Sequence, residues 1–276
     1  MTNYKNIFKM AALTAAMAFG TQAQAAPINV GGVVWDPEAL GDFFGSDTMY
    51  EAAGSVLGGY GLVVNINGKP NSGINNFCPG CELTYQFGNF VNTATLGVDW
   101  VDNNPGGGIN TGDAISFSNG LGGGWVKFYV DYAQDFTAGS YASAGGVAGT
   151  EWLILTGADM LNLSNGLTGS IFSNISAGIF GTGTEGGTGL GNFNVIGGLA
   201  AANLNTNTRA KDVNGVNTDF SFTSSFQPSP IGGVGFPLGG ANTWQGDSIP
   251  EPASLALLGI GLLGMGAVAV RRRKSA

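Results

Sequence analysis

Glycine recurs along this chain at 49 of its 276 positions, without the fixed three-residue period of collagen. Glycine disfavours long helices and suits tight turns and bulges, because it has no side chain to restrict the backbone. Apolar residues still make up 43% of the sequence, which is enough to build a core. The sequence therefore predicts a mainly β globular domain with many glycine turns.

Short runs of alternating apolar and polar residues mark the predicted strands. These runs cover 30–35, 62–66, 83–87, 96–100, 115–117, 125–132, 152–155, 171–180 and 216–226. A single helical turn is predicted over 48–53. Many short strands without a βαβ rhythm favour an antiparallel β-sandwich or jelly roll. A β-solenoid is the competing fold, but it should repeat at a fixed short period and none is found.

The N-terminus has the features of an export signal. Lys5 and Lys9 flank the start of an apolar stretch over 10–19, and the Ala-Gln-Ala at 23–25 fits the small-residue rule for cleavage. Residues 1–25 are therefore predicted to be a signal peptide, and the ectodomain to follow over 26–226. The segment 227–248 is rich in proline and glycine, which predicts a stalk.

The C-terminus has three parts in a fixed order. They are Pro250, Glu251 and Pro252, the uncharged apolar run 253–270, and the basic residues Arg271, Arg272, Arg273 and Lys274. An 18-residue helix over 253–270 would be about 27 Å long, just enough for a bilayer core. The basic residues suit the cytoplasmic end of a single transmembrane helix. The alternative is a permanent tail anchor.

These C-terminal residues resemble the PEP-CTERM sorting signal of bacterial surface proteins, with Ile249 where that pattern usually has valine. The resemblance implies that an exosortase, a membrane transpeptidase-like protease, cuts near Pro250–Pro252. It implies inner-membrane anchoring before processing, then a cell-surface or extracellular location in a host that makes extracellular polysaccharide. The same signal occurs on some ice-binding proteins, so it does not define the ectodomain's role.

Charge and composition exclude several functions. Without the six basic residues of its two ends, the chain keeps Lys69, Lys127, Arg209 and Lys211 against 18 carboxylates, counting Glu251, a net charge of −14. Nucleic acid is not an expected partner, because phosphate binding needs basic clusters. Histidine is absent, which excludes Ser-His-Asp and Cys-His catalysis and His-ligated zinc or copper.

The two cysteines, Cys78 and Cys81, form a C-x-x-C motif. In an exported protein this pattern favours a structural disulfide in a tight turn, because the compartment is oxidising and a strand pattern follows Cys81. The alternative is a redox site, which normally places the first cysteine at a helix N-terminus.

Two acidic loops could bind calcium, because carboxylate and amide oxygens are its ligands. The candidate ligands are Asp99, Asp102 and Asp113 in one loop, and Asp212, Asn214 and Asp219 in the other. The alternative is turn formation, which favours the same residue types. No other cofactor is expected.

The strand 125–132 predicts a binding face. Its alternation places Trp125, Lys127, Tyr129 and Asp131 on one side, with Val126, Phe128, Val130 and Tyr132 toward the core. Aromatic and charged side chains on one sheet face could stack on sugar rings and bind hydroxyls. The alternative is a strand half-covered by a loop or another sheet.

The sequence as a whole predicts an exported surface or matrix protein with a structural, adhesive or carbohydrate-binding role, and no enzyme. The alternatives are a carbohydrate-active hydrolase and an ice-binding protein. A hydrolase would need two facing carboxylates, for which Asp113, Asp131, Asp135 and Glu151 are available. An ice-binding protein would need a flat, regular Thr/Asn/Ala array on a solenoid.

Overall fold

Strands dominate the computed structural model, which describes residues 26–37, 41–50 (mainly the backbone), 56–104, 107–145, 149–231 and 235–249. The strands are β1 (Ile28–Val30), β2 (Val33–Trp35), β3 (Gly41–Tyr50), β4 (Val56–Ile66), β5 (Lys69–Pro70), β6 (Glu82–Val91), β7 (Trp100–Val101), β8 (Ala114–Asn119), β9 (Trp125–Asp131), β10 (Thr150–Gly157), β11 (Met160–Leu161), β12 (Thr168–Gly169), β13 (Ile171–Ala177), β14 (Gly186–Gly197), β15 (Phe220–Pro228) and β16 (Leu238–Gly246). Two short helices are α1 (Tyr141–Gly145) and α2 (Ala201–Leu204). The prediction of a mainly antiparallel β protein is confirmed.

Within the described ranges, twelve strands form one sheet in the order β10-β9-β6-β4-β3-β16-β15-β14-β13-β8-β7, with β5 on β4. Two further pairings, β10 with β14 and β6 with β8, close this sheet on itself. The prediction of a sandwich assumed two separate sheets. A continuous sheet forms instead because β14 pairs with β13 over 186–191 and then with β10 over 193–197. Strand β6 likewise changes partner, from β9 to β8.

The closed sheet surrounds an aromatic core. Trp244 of β16 lies at its centre, with ring centroids 4.6 Å from Phe222, 5.1 Å from Phe193 and 5.5 Å from Phe128. These four side chains come from four strands and are all buried. Burial of large aromatic rings is the main source of stability in such a core.

The predicted stalk over 227–248 is wrong. Residues 238–246 form β16, which pairs along its length with β15 on one side and β3 on the other. Its glycines allow close strand approach rather than flexibility: a Cβ on Gly240 would meet the backbone of Ser225 and Phe226. Small residues between the inward side chains of Leu238 and Trp244 hid the strand pattern, because alternation is visible only where apolar side chains repeat.

Two local predictions are also wrong. Residues 48–50 of the predicted helical turn belong to β3 and pair with β4, whereas 51–53 lie outside the described residues. The predicted strand 96–100 is mostly a turn, since Leu96 and Val98 are 59% and 61% exposed and only Trp100 enters β7. Pairing with a partner strand decides the first place, whereas local hydrogen bonds decide the second, since the N–H groups of Val98 and Asp99 donate to the Thr95 carbonyl.

The targeting segments are not part of this description. The predicted signal peptide over 1–25 and the predicted transmembrane helix over 253–270 lie outside the described residues. Among the helices that are described, none is long and apolar enough to cross a bilayer.

Candidate functional site

Three side chains of β9 share the outer face of the sheet. Trp125, Lys127 and Tyr129 are half-buried there, while the residues that alternate with them, Val126, Phe128 and Val130, are buried in the core. Neighbouring β6 and β10 contribute Gln86 and Glu151 to the same side of the sheet, as their register shows. We call Trp125, Lys127, Tyr129 and Glu151 the β9 face.

The indole of Trp125 lies over Gly88. The two residues are directly paired between β9 and β6. A Cβ at position 88 would lie 3.2 Å from Cζ2 and 3.5 Å from Cε2 of Trp125. The missing side chain therefore gives the indole a place to rest against the strand while the residue stays partly exposed, as an aromatic binding platform requires.

An ion pair borders this platform. Lys127 Nζ lies 2.6 Å from Glu151 Oε1 and 6.0 Å from the centroid of the Trp125 ring. The hydrogen bond to Glu151 raises the pKa of Lys127, so the ammonium is charged at neutral pH. Burial raises the pKa of Tyr129, which keeps its hydroxyl protonated. The face thus offers one apolar ring surface with donors and acceptors around it.

Asp131 pairs with Glu82 on the predicted side of the sheet, but it is buried and so adds nothing to the exposed β9 face. It is 3% exposed, while Tyr132, predicted to be buried, is 62% exposed and donates its hydroxyl hydrogen bond to the Gly31 carbonyl at 3.0 Å. The strand ends at Asp131, whose carboxylate accepts the Ala133 N–H at 2.8 Å, and Tyr132 beyond it no longer follows the alternation. The alternation of a strand is therefore a poor guide to the residue just past its end.

Asp131 instead forms an acidic cluster with Glu82 and Asp135. One carboxylate oxygen of each lies within 4.8 Å of the others. Glu82 is directly opposite Asp131 across β6 and β9 and accepts the Phe136 N–H at 2.8 Å. Burial raises the pKa of Glu82, and the charges of Asp131 and Asp135 raise it further. The sequence showed no sign of this cluster, because the register of β6 on β9 creates it.

The acidic cluster bears on the hydrolase hypothesis. It joins two of the four predicted carboxylates, Asp131 and Asp135, but Glu151 pairs with Lys127 and Asp113 lies in a separate loop. The spacing within the cluster is below the roughly 5–5.5 Å of retaining glycosidases and the larger distance of inverting ones. The four candidate carboxylates are therefore distributed over three places in the structure instead of being gathered at one site.

Replacing Glu82 with glutamine is expected to stabilise the protein by about 0.5–1 kcal/mol at neutral pH, because it removes one of two like charges that face each other across the sheet. The amide can still accept the Phe136 N–H. Because the pKa of Glu82 is raised in the folded state, wild-type stability should fall as pH rises from the ordinary glutamate value through the folded one. Glu82→Gln should weaken this dependence in denaturant titrations across that range.

Asp102→Asn is the control for this change. Asp102 lies on a loop, and the side-chain amide of the new asparagine can still accept the hydrogen bond from the Asn104 N–H. It should alter neither the stability nor its pH dependence. Lower stability of Glu82→Gln at neutral pH would contradict the interpretation of the cluster as electrostatically strained.

The carboxylates predicted to bind calcium organise their own loops. Asp99 accepts the N–H groups of Thr93 and Thr95, Asp113 those of Asn103, Asn104 and Asn110, Asp212 those of Asn214 and Val216, and Asp219 those of Val195, Thr206 and Asn207. Asp102 accepts the Asn104 N–H, and Asn214 lies in an exposed turn. Within the described ranges these side chains form no common cluster. Their geometry matches the alternative of turn formation.

Cys78 and Cys81 are joined by a disulfide, with Cα atoms 5.1 Å apart. The Cys81 N–H donates to the Cys78 carbonyl at 3.1 Å, so the bridge closes a tight turn. Strand β6 follows directly, and both cysteines are buried. The structure thus places the pair in the turn that the sequence favours over a redox site.

A groove of about 530 Å³ runs across the outer side of β15 and β16. Its walls include Tyr60, Phe136, Gln227 and Ile231, and its floor is made by small residues around Gly240. Tyr60 also packs edge-on against Phe236 at 5.0 Å. No local sequence pattern indicates this groove, because its wall and floor come from β4, the 133–140 loop and the segment predicted to be a stalk.

Mostly small or polar side chains form rows across the outer face of β14, β15 and β16. Three of these rows are Thr188, Ser225 and Ala241; Leu190, Thr223 and Thr243; and Asn192, Ser221 and Gln245. Such rows on an antiparallel sheet differ from the repeating solenoid face that the ice-binding hypothesis requires.

Comparison with known proteins bears on the C-terminus alone. The predicted sorting residues Pro250, Glu251, Pro252, Arg271, Arg272 and Arg273 lie outside the described residues. Comparison with curated proteins and with solved structures gives no match. Residues 248–274 match the family model of the PEP-CTERM protein-sorting motif. The chain therefore carries a PEP-CTERM protein-sorting motif, the signal of an exported protein that an exosortase processes.

Proposed function

We propose that this protein binds extracellular polysaccharide through the β9 face, as a surface or matrix component. The observation that carries this proposal is the half-buried indole of Trp125 resting on Gly88 beside the Lys127–Glu151 ion pair. An aromatic ring stacks on the apolar face of a sugar, and charged groups at its edge exchange hydrogen bonds with the hydroxyls.

The sorting signal supports the same role. In this proposal the signal peptide over 1–25 directs export, and the apolar run 253–270 holds the chain in the inner membrane until exosortase releases or transfers it. A matrix polysaccharide is then a polymer that the mature protein would meet outside the cell. The net charge of −14 disfavours phosphate-rich polymers and suits a neutral or cationic glycan.

Replacing both Trp125 and Tyr129 with alanine is expected to weaken polysaccharide binding at least about tenfold, since each stacked aromatic contributes about 1 kcal/mol or more. Binding of the compact unit 27–251 to the host's extracellular polysaccharide and to a glycan panel should be measured by calorimetry. The same titrations should be repeated with added calcium and with a chelator.

Leu190→Ala is the control, because Leu190 is 45% exposed on β14 and lies off the β9 face. It should bind as the wild type does. Equal affinity of the double variant and the wild type would contradict the assignment of the β9 face, provided that circular dichroism shows an intact fold. If the wild type bound no polysaccharide, the proposed binding function would be wrong, and a passive structural role would be left for the protein.

A further inference from the structure

The folded domain continues up to the sorting motif without a flexible spacer. Strand β16 ends at Gly246, and the next residue, Asp247, lies 3.2 Å from Arg209 through Oδ1 and Nη2. The Ile249 N–H donates to the Asn203 carbonyl at 2.8 Å. The sorting-motif match begins at 248, so Ser248 and Ile249 belong both to the motif and to the described domain.

These contacts bind the segment 247–249, just before Pro250, to the domain. Arg209 is itself fixed, because its N–H donates to the Thr218 carbonyl at 2.8 Å. Its side chain and that of Asp247 are 18% and 31% exposed, so the ion pair is partly shielded from water. We call Asn203, Arg209, Asp247 and Ile249 the C-terminal latch.

The latch is close in sequence to the expected cut. Only residues 250–252 separate Ile249 from the apolar run 253–270, so a cut near Pro250–Pro252 falls within three residues of the latch. This step rests on the proposed processing by exosortase.

A protease reads a short extended segment on both sides of the bond that it cuts, and backbone that is hydrogen-bonded within a fold is protected until it opens locally. A cut near Pro250–Pro252 needs the residues just before it in the enzyme's cleft. Those residues are 247–249, which the latch binds to the domain.

We propose that the C-terminal latch must open before exosortase can cut this chain, so that Asn203 and Arg209 act as positioning residues for processing. Opening frees 247–249 for the enzyme without unfolding β16. The partner that meets this end of the domain is the membrane protease. The latch thus delays the cut of the folded chain.

The test is the half-time of processing of the full-length chain in its host, followed by pulse–chase. Asp247→Asn removes the ion pair, and a Gly-Ser-Gly-Ser insertion between Ile249 and Pro250 supplies free chain while the latch stays intact. We expect about two- to fivefold faster processing for Asp247→Asn, as loss of one partly shielded ion pair implies. The insertion should accelerate processing at least as much. Asp102→Asn, the same chemical change on a distant loop, should process as the wild type does.

Hydrogen exchange gives a second readout on the purified chain. The Ile249 amide should exchange faster in Asp247→Asn than in the wild type, with core amides unchanged. Wild-type half-times for both the substitution and the insertion would overturn the proposal, and faster amide exchange without faster processing would overturn it too. A wild-type chain that is never cut would contradict the processing itself, which distinguishes that failure from failure of the latch.

Discussion

Replacing Trp244 with alanine is expected to destabilise the protein by about 3–5 kcal/mol, the range for deleting a large buried aromatic side chain. Trp244 is 2% exposed and contacts aromatic rings from four other strands. Its loss leaves a cavity in the centre of the closed sheet that rigid strands cannot fill. The free energy of unfolding from urea titration of the unit 27–251 measures the effect.

Gln245→Ala is the matched control, because its side chain is exposed on the outer side of the same strand. It should change the stability little. A chain ending at Pro237 tests the strand itself: without β16, β15 and β3 lose their shared partner, and we expect no cooperative folding. Wild-type stability of Trp244→Ala or of the shortened chain would show that 238–246 is a stalk after all.

Replacing Asp219 with alanine is expected to cost about 2–4 kcal/mol, since it leaves several buried donors without an acceptor. Asp219 is 1% exposed. Its Oδ1 accepts the N–H groups of Thr206 and Asn207 at 2.7 and 2.6 Å, and its Oδ2 accepts that of Val195 at 2.7 Å. Asp219→Asn should be intermediate, because the amide keeps one acceptor oxygen. Thermal and urea unfolding measure both variants.

Asp212→Ala is the control from the same loop, where the carboxylate is exposed and binds only a local turn. It should leave the unfolding midpoint nearly unchanged. A chelator should also leave the wild-type midpoint unchanged if Asp219 works through backbone donors. A large drop on chelation, reversed by calcium, would contradict this account and restore the calcium hypothesis for this loop.

The sequence was informative where side chains alternate over a long run. Val126, Phe128 and Val130 enter the core as predicted, and Trp152, Leu153 and Leu155 are buried in β10 between β9 and β14. In both strands the local pattern was sufficient for the prediction. A strand with neighbours on both sides must turn its apolar side chains toward the core, so the pattern fixes its orientation. The C-terminal motif was readable for a similar reason, as its three parts adjoin one another in sequence.

The sequence was misleading where partners are distant. The register of β6 on β9 brings Glu82 to Asp131, and pairing with β15 and β3 turns a glycine-rich segment into β16. No local pattern contains this information. Acidic turn residues posed a different difficulty, since carboxylates that bind backbone N–H groups and carboxylates that bind calcium have the same neighbours in sequence.

The most direct test of the β9 face uses the indole N–H signals of the five tryptophans. Trp35, Trp100, Trp152 and Trp244 are buried, and Trp125 is half-buried on the outer face. In an NMR titration of the ¹⁵N-labelled unit 27–251 with the host's polysaccharide, the Trp125 indole signal, assigned from its loss in Trp125→Phe, should shift while the other four stay in place. A Trp125 signal that does not move at saturating polysaccharide, or shifts confined to the other tryptophans, would contradict the proposed function.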